Sequence, residues 1–203
     1  MKNTTRKYGR VEIRPAKRNW KKPLIALVCT VGVASCVAAG GQAAYGVLDE
    51  TKIIRTEPVE WFAEEFTPLN IGLDAELQEY TYMLCKAYDV DFHLVMAVMQ
   101  RESGYRTDVI SGSNDYGLMQ INKINHQKLS EILGITDFLN PEDNIHAGVY
   151  MLADLFGKYQ DTNLVLMAYN MGEGGANKLW KKNIFTSNYA QEIMRIQKGL
   201  MEL

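Results

Sequence analysis

Cysteine, proline and histidine are scarce in this chain of 203 residues, which contains 3 Cys, 5 Pro and 3 His. Cys29 and Cys36 lie in an uncharged N-terminal segment, so Cys85 is alone in the rest of the chain and a disulfide within the folded body is excluded. None of the three histidines has the H-E-x-x-H spacing or the cysteine partners of a zinc site. We therefore predict a domain that is held together by packing and has no metal site.

Most of the chain has no excess of basic residues. Residues 1–22 carry nine Lys and Arg against Glu12, a net charge of +8, which leaves 13 basic and 23 acidic residues, net −10, for residues 23–203. Nucleic-acid binding depends on clustered Lys and Arg, so the acidic body argues against a nucleic-acid partner. An alternative is that the basic tail alone binds DNA or a cytoplasmic partner. The positive-inside rule for membrane proteins also explains the charges of this tail.

The longest uncharged stretch is residues 23–48. As a helix its 26 residues would measure about 39 Å, against about 30 Å for the hydrocarbon core of a bilayer. With the basic tail before it, the segment is predicted to cross a bacterial membrane with the N-terminus in the cytoplasm and the remainder outside. Two alternatives stay open: cleavage near the small residues 39–44 would release a secreted protein, and V-A-S-C, ending at Cys36, resembles the lipobox of lipoproteins.

The remainder of the chain divides into a linker and one mainly α domain. Residues 49–72 mix acids, prolines and aromatics without a sustained period and are predicted to be the linker. From residue 73 to 203 apolar residues recur with the helical period, and one further helix is expected from Thr162 towards Tyr169. Turn residues between Val109 and Ile121 predict a short β-hairpin. The residues expected to cap helices are Asp74, Asp91, Asn140 and Ser187.

Glu102 is the strongest candidate for a catalytic residue. It falls in the last turn of an otherwise apolar helix, where both the negative end of the helix dipole and burial disfavour an anion. Both effects raise the pKa of a carboxyl group, and a carboxyl that keeps its proton at neutral pH can act as the general acid of glycosidic cleavage. Taken alone, a glutamate at a helix end is more often a solvated surface residue.

Four ordered motifs strengthen the functional interpretation. They are Glu102-Ser103-Gly104, Gly117-Leu118-Met119-Gln120, Asn144-Ile145 with Gly148 and Tyr150 to Leu152, and Ala168-Tyr169-Asn170 with Gly172. In order and spacing they resemble the soluble-lytic-transglycosylase-like domain, over roughly Leu73 to Leu203. The resemblance implies a lysozyme-like fold of the goose type. It also implies a peptidoglycan substrate, cut between N-acetylmuramic acid and N-acetylglucosamine.

The same resemblance implies roles for individual side chains. Glu102 would protonate the glycosidic oxygen and then, as base, take the proton of the muramoyl C6 hydroxyl, so that a 1,6-anhydro ring closes. The Tyr169 hydroxyl is expected to form a hydrogen bond with the Glu102 carboxyl. Ser103 is expected to orient the carboxyl or the substrate by hydrogen bonding. Asn170 and Gln120 are expected to bind N-acetyl groups. The alternatives are a local helix hydrogen bond for Ser103 and plain core or turn packing for the other three, and Met119 is expected to build the cleft wall or the core.

Asp115 leaves a second reaction open. The segment from Gly112 to Asn122 is also similar to the strand-and-turn region of c-type lysozymes, where an Asp two residues before the Gly is the second catalytic carboxylate. Asp115 would then support hydrolysis by a muramidase; alternatively it is a turn residue whose side chain forms a hydrogen bond with its own backbone.

A third hypothesis is a membrane-anchored scaffold that binds glycan without cutting it. The G-L-M-Q-I-N sequence resembles related enzymes of secretion and conjugation machines, which implies local opening of the wall for a secretion, conjugation or phage apparatus, with wall growth as the alternative.

Overall fold

The computed structural model describes residues 66–203. The predicted basic tail 1–22, the predicted membrane segment 23–48 and the first part of the linker, residues 49–65, lie outside the described residues. Within residues 66–203, none of the helices combines the length and the apolar character that a membrane crossing requires. Cys85 is a free, buried cysteine in this part of the chain.

The described residues form a mainly helical domain with one small hairpin, as the sequence predicts. The helices are α1 (Ala75–Tyr88), α2 (Phe92–Ser103), α3 (His126–Leu133), α4 (Pro141–Tyr159), α5 (Thr162–Trp180) and α6 (Asn188–Leu200), with a single 3-10 turn at Lys123–Asn125. Strands β1 (Asp115–Tyr116) and β2 (Ile121–Asn122) pair antiparallel, with Asp115 opposite Asn122. The hairpin lies where turn residues predict it, although β2 ends one residue beyond the predicted region and each strand has only two residues.

Side-chain caps mark the start of five helices among the described residues: the four predicted caps and Asp161, which accepts the Leu164 N–H at the start of α5. The carboxylates of Asp74 and Asp91 accept the backbone N–H groups of Glu76 and Leu94, and the amide oxygen of Asn140 accepts that of Asp143. Ser187 does the same for Ala190 at the start of α6. Each cap satisfies a donor that the first turn leaves without a helical partner, which is why these boundaries are predictable from local sequence.

The other boundaries depend on packing, and here the structure differs from the predictions. Helix α3 was not predicted because it is short and buries only Leu129. Helix α5 continues past Tyr169 to Trp180, through a break at Gly172 (φ 70°, ψ 156°). A left-handed φ at Gly172 is available to glycine without steric cost, so the chain bends there and then resumes its helix with Ala176 fully buried.

Helix α2 is the centre of the core. Residues 94–99 are all 2% exposed or less, so its middle is apolar on every face and must be enclosed by other elements. Helices α1 and α6 pack against it, α4 packs against α1 and α5, and α5 packs against α6. This arrangement brings the C-terminal turn of α2, which carries Glu102, against the first turn of α6.

Asn144 fastens the hairpin turn to helix α4. Its fully buried amide accepts the Met119 N–H (2.8 Å) and donates to the carbonyls of Tyr116 (2.7 Å) and Phe138 (2.8 Å). Gly117 has a φ of 70°, and a Cβ there would lie 2.6 Å from Nδ2 of Asn144. The G-L-M-Q turn can therefore approach α4 this closely only because its first residue is glycine.

We expect Asn144→Ala to lower the free energy of unfolding by about 3 kcal/mol, because three hydrogen bonds are lost and their buried partners are left unsatisfied. Chemical denaturation of the full chain measures this. The matched control is Asn177→Ala on the exposed side of α5, where we expect a change within about 0.5 kcal/mol. Equal stability of the two variants would refute the anchoring role of Asn144.

Candidate active site

Glu102 lies in the last turn of α2, partly buried, just before the left-handed cap Gly104. Burial raises the pKa of its carboxyl above the ordinary value of 4.5, and the negative charge of Asp115 raises it further. A hydrogen bond from Tyr189 and the charge of Arg101 act in the opposite direction, but the net change is upward. The carboxyl thus has the raised proton affinity that a general acid needs.

The tyrosine that holds this carboxyl is Tyr189. Tyr189 lies in the first turn of α6, is 8% exposed, and its hydroxyl donates a hydrogen bond to Oε1 of Glu102. The Arg101 guanidinium lies 5.8 Å from the centre of the Tyr189 ring, and its Nε pairs with Oε2 of Glu192 at 2.7 Å. The prediction that Tyr169 bonds Glu102 was wrong, since another helix supplies that hydroxyl.

Tyr169 supports the hairpin instead. Its hydroxyl donates to the carbonyl of Met119 at 2.9 Å, which ties α5 to the same turn that Asn144 ties to α4. Burial raises the pKa of Tyr169 well above its ordinary value, and the charges of Glu102 and Asp115 raise it further. Tyr169 therefore remains a neutral hydrogen-bond donor beside the candidate acid without contacting its carboxyl.

Asp115 lies on β1 with both carboxylate oxygens engaged. The Ser111 hydroxyl donates to Oδ2 at 2.6 Å, and the side-chain amide of Asn122 donates to Oδ1 at 2.6 Å. The Asp115 backbone N–H also donates to the Ser111 hydroxyl oxygen at 3.1 Å. Asp115 is therefore part of the hairpin, and its charge is felt at both Glu102 and Tyr169.

The remaining predicted residues take different places. Ser103 is buried and its hydroxyl donates to the Met99 carbonyl at 3.2 Å, which is the local helix bond. The Gln120 amide donates to the Gly117 carbonyl at 2.8 Å and so closes the hairpin turn. Met119 is fully buried in the core, whereas Asn170 is exposed on α5. Of the two predicted ligand-binding amides, that of Asn170 belongs to an exposed residue, whereas that of Gln120 belongs to a partly buried one and donates to backbone carbonyls.

An open groove of about 490 Å³ lies on a different face of α2. It is lined by Ile71, Gly72, Gln100, Tyr105, Arg195, Ile196, Gly199, Leu200 and Leu203. Gln100 and Glu102 are two residues apart on the helix, and each residue turns the helix by about 100°, so their side chains point to nearly opposite sides. The groove is therefore separate from the candidate acid. Among residues 66–203, no three His, Cys, Asp or Glu side chains come together as a metal site.

Two residues that sequence reasoning did not assign to the site are Tyr189 and Asn144. Tyr189 belongs to the apolar stripe of α6, where an aromatic ring is expected to pack, so its hydroxyl gave no separate signal. Asn144 carried a stronger signal, because an amide among the inward-facing residues of α4 must find buried hydrogen-bond partners.

The comparisons with known proteins identify the family. The model of the transglycosylase SLT domain matches residues 79–193, which is more than half of the chain. The chain belongs to the transglycosylase SLT domain family. A transglycosylase of Enterobacteria phage PRD1 is 32% identical over 108 residues, covering 53% of this chain and 38% of the phage protein. Membrane-bound lytic murein transglycosylase C of Serratia proteamaculans is 28% identical over 131 residues, covering 55% of this chain and 36% of the Serratia protein.

The chain thus spans less than two fifths of the length of either of these SLT relatives. A solved structure of similar fold is the 70 kDa soluble lytic transglycosylase of Escherichia coli, with a TM-score of 0.52 at 18% identity. That alignment covers 59% of this chain and 23% of the Escherichia coli protein. Because the identity is only 18%, the likeness shows that the two proteins share the lysozyme-like fold of the SLT domain and shows nothing beyond the fold.

We predict that Tyr189→Phe raises the pKa of the Glu102 carboxyl, because the lost hydrogen bond favours the ionised form. Carbon-13 NMR of labelled Glu side chains measures the titration directly. Tyr105→Phe is the matched control, since its hydroxyl lies 3.4 Å from Oε1 of Gln100 at an exposed position. A titration of Glu102 that is equal in the Tyr189→Phe variant and in wild type would contradict the assignment.

The raised pKa of Glu102 also predicts a pH-dependent stability. The folded state binds the proton more tightly than the unfolded chain, so stability falls as the pH rises from about 4.5 through the folded-state pKa. Glu102→Gln removes the buried anion, and its free energy of unfolding relative to wild type should be higher at neutral pH than in acid. Glu79→Gln, on the exposed surface of α1, is the control. Parallel stability curves for Glu102→Gln and wild type would contradict the prediction.

Proposed function

We propose that the chain is a peptidoglycan lytic transglycosylase. It cleaves the β-1,4 bond between N-acetylmuramic acid and N-acetylglucosamine and leaves a 1,6-anhydromuramoyl end. The observation that carries the proposal is the Glu102 carboxyl, partly buried at the end of α2 with a raised pKa and a bond from Tyr189. Membership of the transglycosylase SLT family supports the choice of substrate and reaction.

The proposed reaction uses Glu102 twice. Its proton passes to the glycosidic oxygen as the C1–O bond breaks, and N-acetylglucosamine leaves with a free 4-hydroxyl. The resulting carboxylate takes the proton of the muramoyl C6 hydroxyl, whose oxygen forms the new bond to C1. Glu102 ends in the protonated form in which it began. Between the two steps the Tyr189 hydroxyl stabilises the carboxylate by a charge-assisted hydrogen bond.

The neighbouring residues support this chemistry in different ways. Asn170 is exposed on α5 and is the amide we propose to contact the sugar N-acetyl group. Ser103, Met119, Gln120 and Tyr169 form hydrogen bonds or core contacts that hold the end of α2 and the hairpin turn in place. The site needs no cofactor in this mechanism.

Hydrolysis by a muramidase is the alternative that Asp115 raises. It requires either a nucleophilic carboxylate or a base that activates water. Both oxygens of Asp115 already accept hydrogen bonds from Ser111 and Asn122, which favours the anhydro-forming reaction. The two reactions give different ends, so product analysis separates them.

We further propose a location in the bacterial cell envelope, with the membrane reached through residues 23–48 and the catalytic domain outside. The positive tail followed by an uncharged stretch supports this topology, and the Serratia relative is named as membrane-bound. The G-L-M-Q-I-N sequence and the phage relative support local opening of the wall for a secretion, conjugation or phage apparatus.

We expect the full chain to release 1,6-anhydromuropeptides from purified peptidoglycan, and Glu102→Gln to lower the rate by at least about a hundredfold, because the proton donor is lost. Mass spectrometry of the soluble products measures both the rate and the type of end.

Glu79→Gln is the matched control and should retain the wild-type rate. Reducing ends in place of anhydro ends would establish the muramidase alternative. Absence of soluble products from wild type, with binding to the sacculus retained, would establish the non-catalytic scaffold.

A further inference from the structure

Two consecutive residues at the end of α2 meet two residues on one face of α6. Glu102 accepts the hydrogen bond of the Tyr189 hydroxyl, and Nε of Arg101 pairs with Oε2 of Glu192 at 2.7 Å. Tyr189 and Glu192 are three residues apart on α6, so their side chains lie on the same face of that helix. The end of α2 is therefore joined to α6 by two adjacent side-chain pairs.

The ring of Tyr189 connects these two pairs. The Arg101 guanidinium lies 5.8 Å from the centre of the ring, within the range of a cation–π interaction. The hydroxyl of the same ring donates to the Glu102 carboxyl. The contacts thus form a continuous chain that runs from Glu192 through Arg101 and Tyr189 to the candidate acid.

Glu192 accounts for the place of the Arg101 guanidinium. Among residues 66–203, Arg101 forms its ion pair with Glu192 and none with Glu102, although Arg101 and Glu102 are neighbours in sequence. The side chains of Arg101 and Glu192 are each 43% exposed, so solvent screens the pair and its contribution to stability is small. Its main effect is on direction, because a charge-assisted hydrogen bond fixes where the guanidinium lies.

An Arg101 without this partner would act differently on Glu102. The guanidinium is always charged and sits on a long side chain, and the Glu102 carboxyl meets the same tyrosine. With no carboxylate on α6 to hold it, the cation would be attracted to Glu102. A nearby cation favours the ionised form of a carboxyl and so removes the proton that a general acid must donate.

Other titratable groups interact with Glu102 from two further elements. They are Tyr169 on α5 and Asp115 on β1. Burial raises the pKa of Tyr189 well above its ordinary value, and the charge of Glu102 raises it further, so the Tyr189 hydroxyl stays protonated as a donor. A substitution at Glu192 alters none of these side chains.

We propose that Glu192 is a positioning residue: it holds the Arg101 guanidinium on the ring of Tyr189 and away from the Glu102 carboxyl, which leaves the tyrosine hydroxyl as the donor to that carboxyl. The inference rests on the proposed lytic transglycosylase function and adds to it a residue outside the reacting groups. Its consequence is that Glu102 keeps a proton that an unpaired guanidinium would displace.

Carbon-13 titration of the Glu102 carboxyl in the full chain compares the two partners of the ion pair. Glu192→Gln should lower the pKa of Glu102, because Arg101 loses its counter-charge. Arg101→Gln should raise it, because the cation itself is lost. Loss of a merely structural contact would move both variants in the same direction. The double variant with both substitutions should titrate as Arg101→Gln does.

The matched control is Asp154→Asn. Asp154 pairs with Lys158 on α4 at 2.9 Å, and the exposed fractions of the two side chains are 40% and 41%, close to those of the Arg101–Glu192 pair. Asp154→Asn should leave the Glu102 titration unchanged. Circular dichroism verifies the fold of each variant. If Glu192→Gln does not fold, Glu192→Ala removes the same charge with a residue of high helix propensity and is measured in the same way.

The pH dependence of activity is a second readout. On purified peptidoglycan, the alkaline limb of the kcat/KM profile should move to lower pH in Glu192→Gln and to higher pH in Arg101→Gln. On that limb we expect Glu192→Gln to lower kcat/KM roughly threefold, as for one partly screened charge, with a value near that of wild type in acid. Asp154→Asn should follow wild type at every pH.

The outcomes separate this inference from the proposed function. An unshifted Glu102 titration in Glu192→Gln, or an equal shift with and without Arg101, would overturn the role of Glu192 and leave the transglycosylase proposal intact. A wild-type chain that cleaves no peptidoglycan would refute the proposed function, and the carboxyl titration would still decide whether Glu192 acts on Glu102 through Arg101.

Discussion

The site depends on one buried amide, that of Asn144. Three hydrogen bonds from this side chain fix the turn of the hairpin on α4, and the glycine at 117 allows the close approach. Once the turn is fixed, the Met119 carbonyl is in place to accept the Tyr169 hydroxyl, and Asp115 is held in β1 of the same hairpin. The position of the hairpin and of its bond from Tyr169 therefore follows from a contact that does not involve Glu102 itself.

Glu102 itself is a compromise between stability and chemistry. Burial at the end of a helix disfavours its carboxylate, and the fold retains it because Tyr189 and Arg101 partly compensate. A stronger compensation would bring the pKa back towards its ordinary value, and a weaker one would leave a carboxylate that is costly to form in the second step of the proposed reaction. The Tyr189 hydroxyl is a neutral donor and gives an intermediate stabilisation, because a phenol stabilises the Glu102 carboxylate less than a second cation would.

Local sequence predicted the parts of this structure that depend on neighbours along the chain. The caps at Asp74, Asp91, Asn140 and Ser187 marked real helix starts because each satisfies a donor within three residues. The helical position of Glu102 and its raised pKa followed from the same kind of reasoning. The partner of Glu102 did not, because Tyr169 and Tyr189 both lie far from it in sequence, and only the packing of α5 and α6 decides which hydroxyl reaches it.

The dependence on α6 links folding to chemistry. Helix α6 contributes the hydroxyl on Glu102, buries part of α2, and carries Glu192, which pairs with Arg101. Without α6 docked, Glu102 would lose the Tyr189 donor that stabilises its anion and part of the burial that raises its pKa. The proposed role of Glu102 therefore depends on the completed fold. The motif around Glu102 supplies the carboxyl, and the C-terminal helix supplies its hydrogen-bond donor.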